Sequence, residues 1–281
     1  MNILINGGEG FIASNLNIYL TNIGHTVFAP SHTQLDVMVA DNIKQFFDEH
    51  EIDVVIHTIA KGGRRIRKDV MSDCYDTLLM FENMRTYSKC KLFINFGSGM
   101  EFDGRFNITE VKEDDIFIRV PIDPYGLAKN IISRRMSGIP RCVNLRIFNC
   151  FGYNEAWHRL IRVAITSAIE NKPITVVDRK VDFFYIQDLC KVVEYAIKNH
   201  ISCGDINCVY PKKYKVVDVV KMVQEVVGCN NEIIISDKQP DYTGDGNKLL
   251  ELSLYAGLGK LIGLQKGIEE TYQKIKAQIN V

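Results

Sequence analysis

The chain reads as an α/β protein: a Rossmann-type, doubly wound parallel sheet followed by a smaller mixed α/β lobe. Three observations predict this. Apolar runs of strand length alternate with segments of helical spacing over the first 150 or so residues, the pattern of a parallel sheet with helices on both faces. The first apolar run passes directly into a glycine turn that opens a helix. Beyond Gly152 the alternation gives way to a less regular mixture of helices and short strands.

Element by element, "MNILING" is a short apolar strand, and "FIASNLNIYLTNIG" has helical spacing and stops at Gly24, a C-cap residue. "HTVFAP" is the second strand, "VADNIKQFFDEHE" a helix and "DVVIHTIA" a buried strand. A long helix near 70–88, the strand "KLFINFG", a helix opened by Pro124 and the strand "RCVNLRIFN" complete the regular part. Next come the helix "WHRLIRVAITSAIENK", the strand "ITVV", and "DFFYIQDLCKVVEYAIKN", a strand end running into a helix. "DINCVY", the helix "KVVDVVKMVQEVVG", "EIIISD" and a final helix from about 266 follow. The stretch "QPDYTGDGNK", 239–248, is rich in turn formers and is expected to be loop. The expected division is a dinucleotide-binding domain over 1–152 plus about 175–203, and a substrate lobe over about 153–174 plus 204–281, with a cleft between them.

Bulk properties narrow the function. The 281 residues are 46% hydrophobic and 24% charged, as in a soluble globular protein. Lysine plus arginine and aspartate plus glutamate number 34 each, which gives no support to a nucleic-acid or anionic-membrane surface. No apolar run approaches the roughly 20 residues that span a bilayer, and "MNILINGGEG" lacks the features of a signal peptide. The eight cysteines form no C-x-x-C pair and no zinc spacing, so reduced thiols in a cytoplasmic protein are expected.

"INGGEGFIA" sets Gly7, Gly10 and Ala13 in a G-x-x-G-x-x-A pattern. Gly7 permits the tight turn, Gly10 lets the backbone approach a pyrophosphate, and Ala13 permits close helix packing. The free N–H groups at Phe11 and Ile12 then face phosphate. An NAD site of this type carries Asp or Glu at the end of the second strand, for the ribose hydroxyls. Here Ala29, Pro30, Ser31 and His32 stand there, and Ser31 and His32 are suited to a 2′-phosphate. NADP(H) is therefore the preferred cofactor and NAD(H) the alternative, with Asp36 further along as an adenine contact.

Tyr125 and Lys129, in "DPYGLAK", are four residues apart and share one helix face. A free phenol ionises near pH 10, and a neighbouring ammonium favours the phenolate, which makes the tyrosine a usable general acid or base. Ser98 ends the preceding strand in "INFGSGMEFDG", on the edge of the sheet where ligands bind, and is placed to hydrogen-bond a substrate carbonyl.

These motifs together resemble the extended short-chain dehydrogenase/reductase family, in its nucleotide-sugar branch. "GGEGFIASNL" matches the glycine turn, "HTIA" the strand beside the nicotinamide ribose, "GSGMEFD" the serine strand, "PYGLAK" the catalytic helix, "RIFNCFG" the R-x-x-N-x-Y/F-G strand and "DFFYIQDL" the R-D-F-x-x-V-x-D segment. "IDVVIHTIAKGG" and "LDV" are most similar to the GDP-fucose synthase group of 3,5-epimerase/4-reductases. The resemblance implies cofactor contacts from Asp36, Val37, Thr58, Ile59 and Ala60. It implies substrate contacts from Lys61, Gly99, Met100 and Asn149, a nucleotide-diphosphate sugar as substrate, and a homodimer. The activity it implies is reduction of a nucleotide-linked 4-keto-6-deoxy sugar, with a 4-epimerase holding NAD as the alternative and a non-enzymatic scaffold as the remote one.

Departures from the family pattern are specific. Gly99 and Met100 replace the Asp-Glu pair of the 4,6-dehydratases. Met100 also stands where a 3,5-epimerase carries a cysteine base, which leaves His158, in "EAWHRLIR", as the single matching epimerisation base. Val181 replaces the arginine of R-D-F, so Arg179, Lys180, Arg159 and Arg162 are the candidates to meet the diphosphate. "GGRRIRKD", 62–69, is a basic loop expected near the cleft.

Overall fold

The computed structural model describes residues 1–63, 68–199 and 203–279. In chain order the elements are β1 (Asn2–Asn6), α1 (Phe11–Asn22), β2 (Thr26–Phe28), α2 (Ala40–Glu49), β3 (Val54–His57), α3 (Met71–Tyr87), β4 (Leu92–Ser98), β5 (Ile108–Val111), α4 (Pro124–Met136), β6 (Cys142–Ile147), β7 (Cys150–Phe151), α5 (Leu160–Ile169), β8 (Ile174–Asp178), β9 (Phe184–Tyr185), α6 (Ile186–Lys198), β10 (Cys203–Cys208), α7 (Val216–Val227), β11 (Ile233–Lys238), β12 (Tyr242–Gly244), α8 (Asn247–Tyr255) and α9 (Leu264–Ile279). Short 3-10 turns cover Gly99–Glu101 and Glu113–Phe117.

Two compact units form. The first holds residues 1–105, 112–146 and 192–207. Its six-stranded sheet has the order β10-β6-β4-β3-β1-β2, with β2, β1, β3 and β4 paired in parallel. Ile3, Leu4, Ile5, Val55, Ile56 and Ile94 are at most 0% exposed, the continuous burial expected of strands covered on both faces. Local signals act where expected. Gly24 takes φ +93° just past α1, and Asp123 caps α4 by accepting from the Gly126 N–H at 2.8 Å, with Pro124 at the first helical position.

The second unit holds residues 106–111, 147–191 and 208–281. β8 pairs in parallel with β11 rather than joining the six-stranded sheet, so 175–191 falls with this unit, unlike the boundary drawn from the sequence. The expected loop at 239–248 contains structure. β12 pairs with β5 across more than a hundred residues, tied by the Glu110 N–H to Thr243 Oγ1 at 2.9 Å, and α8 begins at Asn247. Thr243 and Leu249 are buried, so tertiary packing overrides the local turn propensity. Among the described residues no helix is long and apolar enough to cross a membrane.

Candidate active site

The sheet order reverses at β1, with β2 on one side and β3 on the other. At such a switch point the strand ends leave a crevice for a ligand. Gly7 turns there with φ +77°, and a Cβ on it would stand 2.8 Å from Thr58 Oγ1 and 2.9 Å from Ile59. A Cβ on Gly8 would stand 2.6 Å from the Ala29 carbonyl oxygen. The Gly10 N–H closes the turn onto Gly7 O at 3.0 Å, and α1 begins with no side-chain cap, so the N–H groups at Phe11 and Ile12 meet no capping side chain. Thr58 is pinned by its N–H to Asn6 Oδ1 at 2.9 Å and by its hydroxyl to Asn6 O, with Thr58 and Ile59 beside the turn and Ala60 next along the chain. This all-backbone cradle fits the diphosphate of a dinucleotide.

Beyond β2, Ser31 donates its hydroxyl to Gln34 Oε1 at 3.0 Å and contacts Thr33 Oγ1 at 2.9 Å. His32 is exposed and lies 3.6 Å from Asp36, which also accepts from the Met38 N–H at 2.9 Å. Val37 is 2% exposed and packs in the core with Leu4 and Phe81, so its side chain is a core contact.

Tyr125 and Lys129 lie one turn apart on α4. Lys129 is 4% exposed, its Nζ donates to Phe96 O at 2.7 Å, and it stands 6.0 Å from the Tyr125 ring centre. Burial lowers the Lys129 pKa to about 8, opposed by the charge of Glu101. Gly63 takes φ +68°, and a Cβ there would stand 2.8–2.9 Å from three atoms of the Tyr125 ring. The chain after β3 therefore walls one side of the phenol with bare backbone. Residues 64–67 of the basic loop lie outside the described residues. Lys61, just before it, is exposed and its N–H donates to Thr77 Oγ1 at 2.9 Å.

Ser98 ends β4 and opens the Gly99–Glu101 turn. Its hydroxyl oxygen accepts from the Met100 N–H at 3.1 Å, and its own N–H donates to Glu101 Oε1 at 2.8 Å, a reciprocal capping box. With an acceptor position of the hydroxyl occupied, its proton is available to a ligand oxygen. Gly99 is buried and Met100 half-buried on this turn.

Arg146 and Glu101, which stand in two of the quoted motifs without an assigned role, belong to a buried polar row. Arg146, fully buried, donates to Glu101 Oε2 at 2.6 Å, Ser133 Oγ at 2.9 Å, Asn207 Oδ1 at 3.0 Å and to Asp205. Asn144 links Ser133 to Asn95, and His57 receives the Asn6 amide at 2.7 Å. Burial and the nearby Lys129 push His57 down to about 3, so its ring is neutral. His57 Nε2 and Asn95 Oδ1 are buried with no hydrogen-bond partner among the described residues. The sequence did carry a signal for Glu101: S-x-x-E at a strand end is a capping box.

The remaining candidates belong to the second unit. Asn149 is half-buried, and its amide donates to Asp182 O at 3.1 Å and accepts from Arg159 Nη2 at 3.3 Å. Arg159 also stands 4.0 Å from Glu155, and Arg162 donates to Tyr153 O at 2.6 Å. His158 is half-buried, its ring edge-on to Trp157 at 5.5 Å. Arg179 stacks on the Tyr242 ring at 5.6 Å and donates to Gln239 at 3.5 Å. Glu155, missed in the sequence, is buried; burial raises its carboxyl to about 8 against the pull of Arg159, and its Oε1 has no partner among the described residues.

Comparisons with known proteins identify the fold and the family. A curated GDP-L-fucose synthase from Azorhizobium caulinodans is 23% identical over 299 residues, covering 96% of this chain and 95% of that one. A GDP-mannoheptose C4 reductase from Campylobacter jejuni, solved with NADP bound, superposes with a TM-score of 0.83 at 18% identity, covering 98% of both chains. A UDP-glucose 4-epimerase from Thermotoga maritima superposes with a TM-score of 0.79 at 18% identity, covering 99% of this chain and 100% of that one. At these identities the superpositions speak for the fold. The profile of the NAD dependent epimerase/dehydratase family matches residues 3–208, and the chain belongs to that family.

Proposed function

We propose that the protein is an NADP(H)-dependent reductase that delivers hydride to carbon 4 of a nucleotide-linked 4-keto-6-deoxy sugar. The observation that carries this reading is the grouping of Ser98, Tyr125 and Lys129 on the sheet unit that also holds the glycine cradle. A bound nicotinamide dinucleotide supplies the hydride, with its diphosphate on the Gly7–Ile12 turn. The absence of a carboxylate at Ala29–His32 favours a 2′-phosphate there. Ser98 donates its proton to the carbonyl oxygen and fixes its orientation. Tyr125 passes a proton to that oxygen as it becomes an alkoxide. Lys129, held by Phe96 O, keeps positive charge beside the phenol and holds the ribose. In the second unit, Arg159 and Arg179 are the groups suited to the diphosphate, and Asn149 orients the sugar.

The curated relative and the heptose reductase both carry names that place them on GDP-linked sugars, which supports a nucleotide sugar as substrate and GDP as the first nucleotide to test. Met100 has no proton to move, so His158 alone would have to serve at carbons 3 and 5, and simple reduction is favoured over 3,5-epimerisation. The exposed Met71, Tyr75 and Leu79 share one face of α3, suited to a homodimer that light scattering would test.

The deciding experiment follows NADPH oxidation with GDP-, dTDP-, CDP- and UDP-linked 4-keto-6-deoxy sugars in deuterated water. Oxidation with one nucleotide and no deuterium at carbons 3 or 5 is expected. Deuterium incorporation would establish an epimerase/reductase. No oxidation with any of them, together with a copurified NAD that does not exchange, would replace the proposal by a 4-epimerase, the reading favoured by the likeness to UDP-glucose 4-epimerase.

A further inference from the structure

Ser98, Tyr125 and Lys129 do not explain the charge buried beneath them. Glu101 and Arg146 are both 0% exposed, and Asp205 stands on the far side of the guanidinium. Withdrawing such ions from water costs free energy, and well-packed apolar residues often stabilise a fold equally well. Stability alone is therefore a weak reason for this cluster, and its placement points elsewhere.

Both Glu101 oxygens are committed as acceptors. Oε1 receives the Ser98 N–H and Oε2 receives Arg146 Nε. Burial pushes the Glu101 carboxyl upward, but a protonated acid would have to donate at one of these contacts, where only donors face it. The carboxylate is therefore the ionised form. The chain leaves room for it: a Cβ on Gly97 would stand 2.4 Å from Glu101 Oε1 and 2.7 Å from Asn144 Nδ2. The Glu101 carbonyl in turn accepts from Asn130 Nδ2 at 2.8 Å, on the same helix as Tyr125 and Lys129.

We propose that Glu101 is the positioning residue of this site: clamped by Arg146, its carboxylate fixes the turn that aims the Ser98 hydroxyl and is the buried counter-charge of Lys129. The inference rests on the reductase reading for its link to turnover. Lys129 Nζ donates to the Phe96 carbonyl on β4, two residues before the Ser98 N–H that Glu101 holds, and stands over the Tyr125 ring of its own helix. Across this short span the Glu101 charge favours the ammonium, and the ammonium in turn disfavours a charged His57 on β3. Glu101 is bonded to Arg146 from β6, which also pairs with Asp205 on β10, whose negative charge opposes that of Glu101. Removing the negative charge lets Lys129 lose its proton at lower pH, so functions that need the ammonium fail earlier as pH rises.

The test uses Glu101→Gln, Glu101→Asp and the double variant Glu101→Met with Arg146→Met, each checked for folding by thermal melting. NADPH affinity is measured by fluorescence from about pH 6 to about pH 9, and kcat over the same range. Glu101→Gln should lose about tenfold in both at the alkaline end and about twofold or less at the acid end. Glu101→Asp keeps the charge but is a methylene short. It should retain the wild-type alkaline limb while kcat falls several-fold through a looser Ser98 turn. The double variant avoids an unpaired Arg146, keeps Asp205, and should fold while showing an acid-ward shift in the direction of Glu101→Gln but smaller. If the folded variants lose activity and NADPH affinity uniformly across pH, with both limbs unmoved, Glu101 is only structural and the inference is overturned. If no sugar is turned over but the NADPH limb moves as expected, the inference about Lys129 stands and the reductase reading falls.

Discussion

The two units solve different problems with the same kinds of side chain. In the sheet unit, Lys129, Glu101 and Arg146 are each less than a tenth exposed and tied by contacts of 2.6–2.8 Å. In the second unit, Arg159 reaches Asn149 at 3.3 Å and Glu155 at 4.0 Å, while Trp157 beside His158 is 79% exposed. The first arrangement is set before any ligand arrives, which is what stabilising a developing charge requires. The second is looser, as suits groups whose hydrogen bonds tighten on a ligand. Rate is thus expected to depend on the sheet unit and recognition on the second unit.

Substitutions can break that contrast, beginning with the most severe. Tyr125→Phe removes the proton donor and should lower kcat by about a thousandfold or more, with NADPH affinity, measured by fluorescence titration, nearly unchanged. Retained turnover would remove Tyr125 from its role. Gly63→Ala forces a Cβ against the phenol at a left-handed backbone position, so kcat should fall roughly tenfold to a hundredfold through displacement of the ring. Arg159→Ala should raise KM for the nucleotide sugar about tenfold and change kcat by less than about twofold. A large kcat effect there would erase the division of labour between the units.

The mildest expected effect concerns stability. The Glu155 carboxyl is raised to about 8 from an ordinary value of 4.5, so the folded chain holds an extra proton between those limits. That contribution is fully present below about pH 4.5 and is lost as pH rises through about 8. Glu155→Gln cannot ionise. It should flatten the pH dependence of urea unfolding over this window and exceed the wild type by about 1–2 kcal/mol above it. An unchanged slope would mean that the carboxyl is solvated in the folded state.

The same contrast decides what could be read from the amino acids. The parallel sheet was legible because its strands are continuously apolar and its turns carry Gly7, Gly24 and Pro124, signals that act over a few residues. The β5–β12 pairing was not, because Tyr242–Gly244 lies among turn formers and its partner is more than a hundred residues away. Ser98, Tyr125 and Lys129 were singled out as candidates through their spacing and motif context. Arg146 opens the "RIFNCFG" motif, but its burial and its partners Glu101, Ser133, Asp205 and Asn207 were not legible, because they come from segments distant in the chain. Val37, matched by resemblance as a cofactor contact, buries its side chain in the core, which leaves only its backbone to meet a ligand.

The Ser98 turn has a consequence for ligand choice. The Met100 N–H occupies an acceptor position of the serine hydroxyl, and Lys129 has no lone pair to offer while it is charged. On the proposed reading, an oxygen at the reacting carbon accepts the Ser98 proton, whereas an ammonium there has no lone pair to offer it and adds charge near Lys129. A keto or hydroxy sugar is therefore expected to bind more tightly than its 4-amino counterpart, a preference set by hydrogen-bond polarity, since the groups differ little in size.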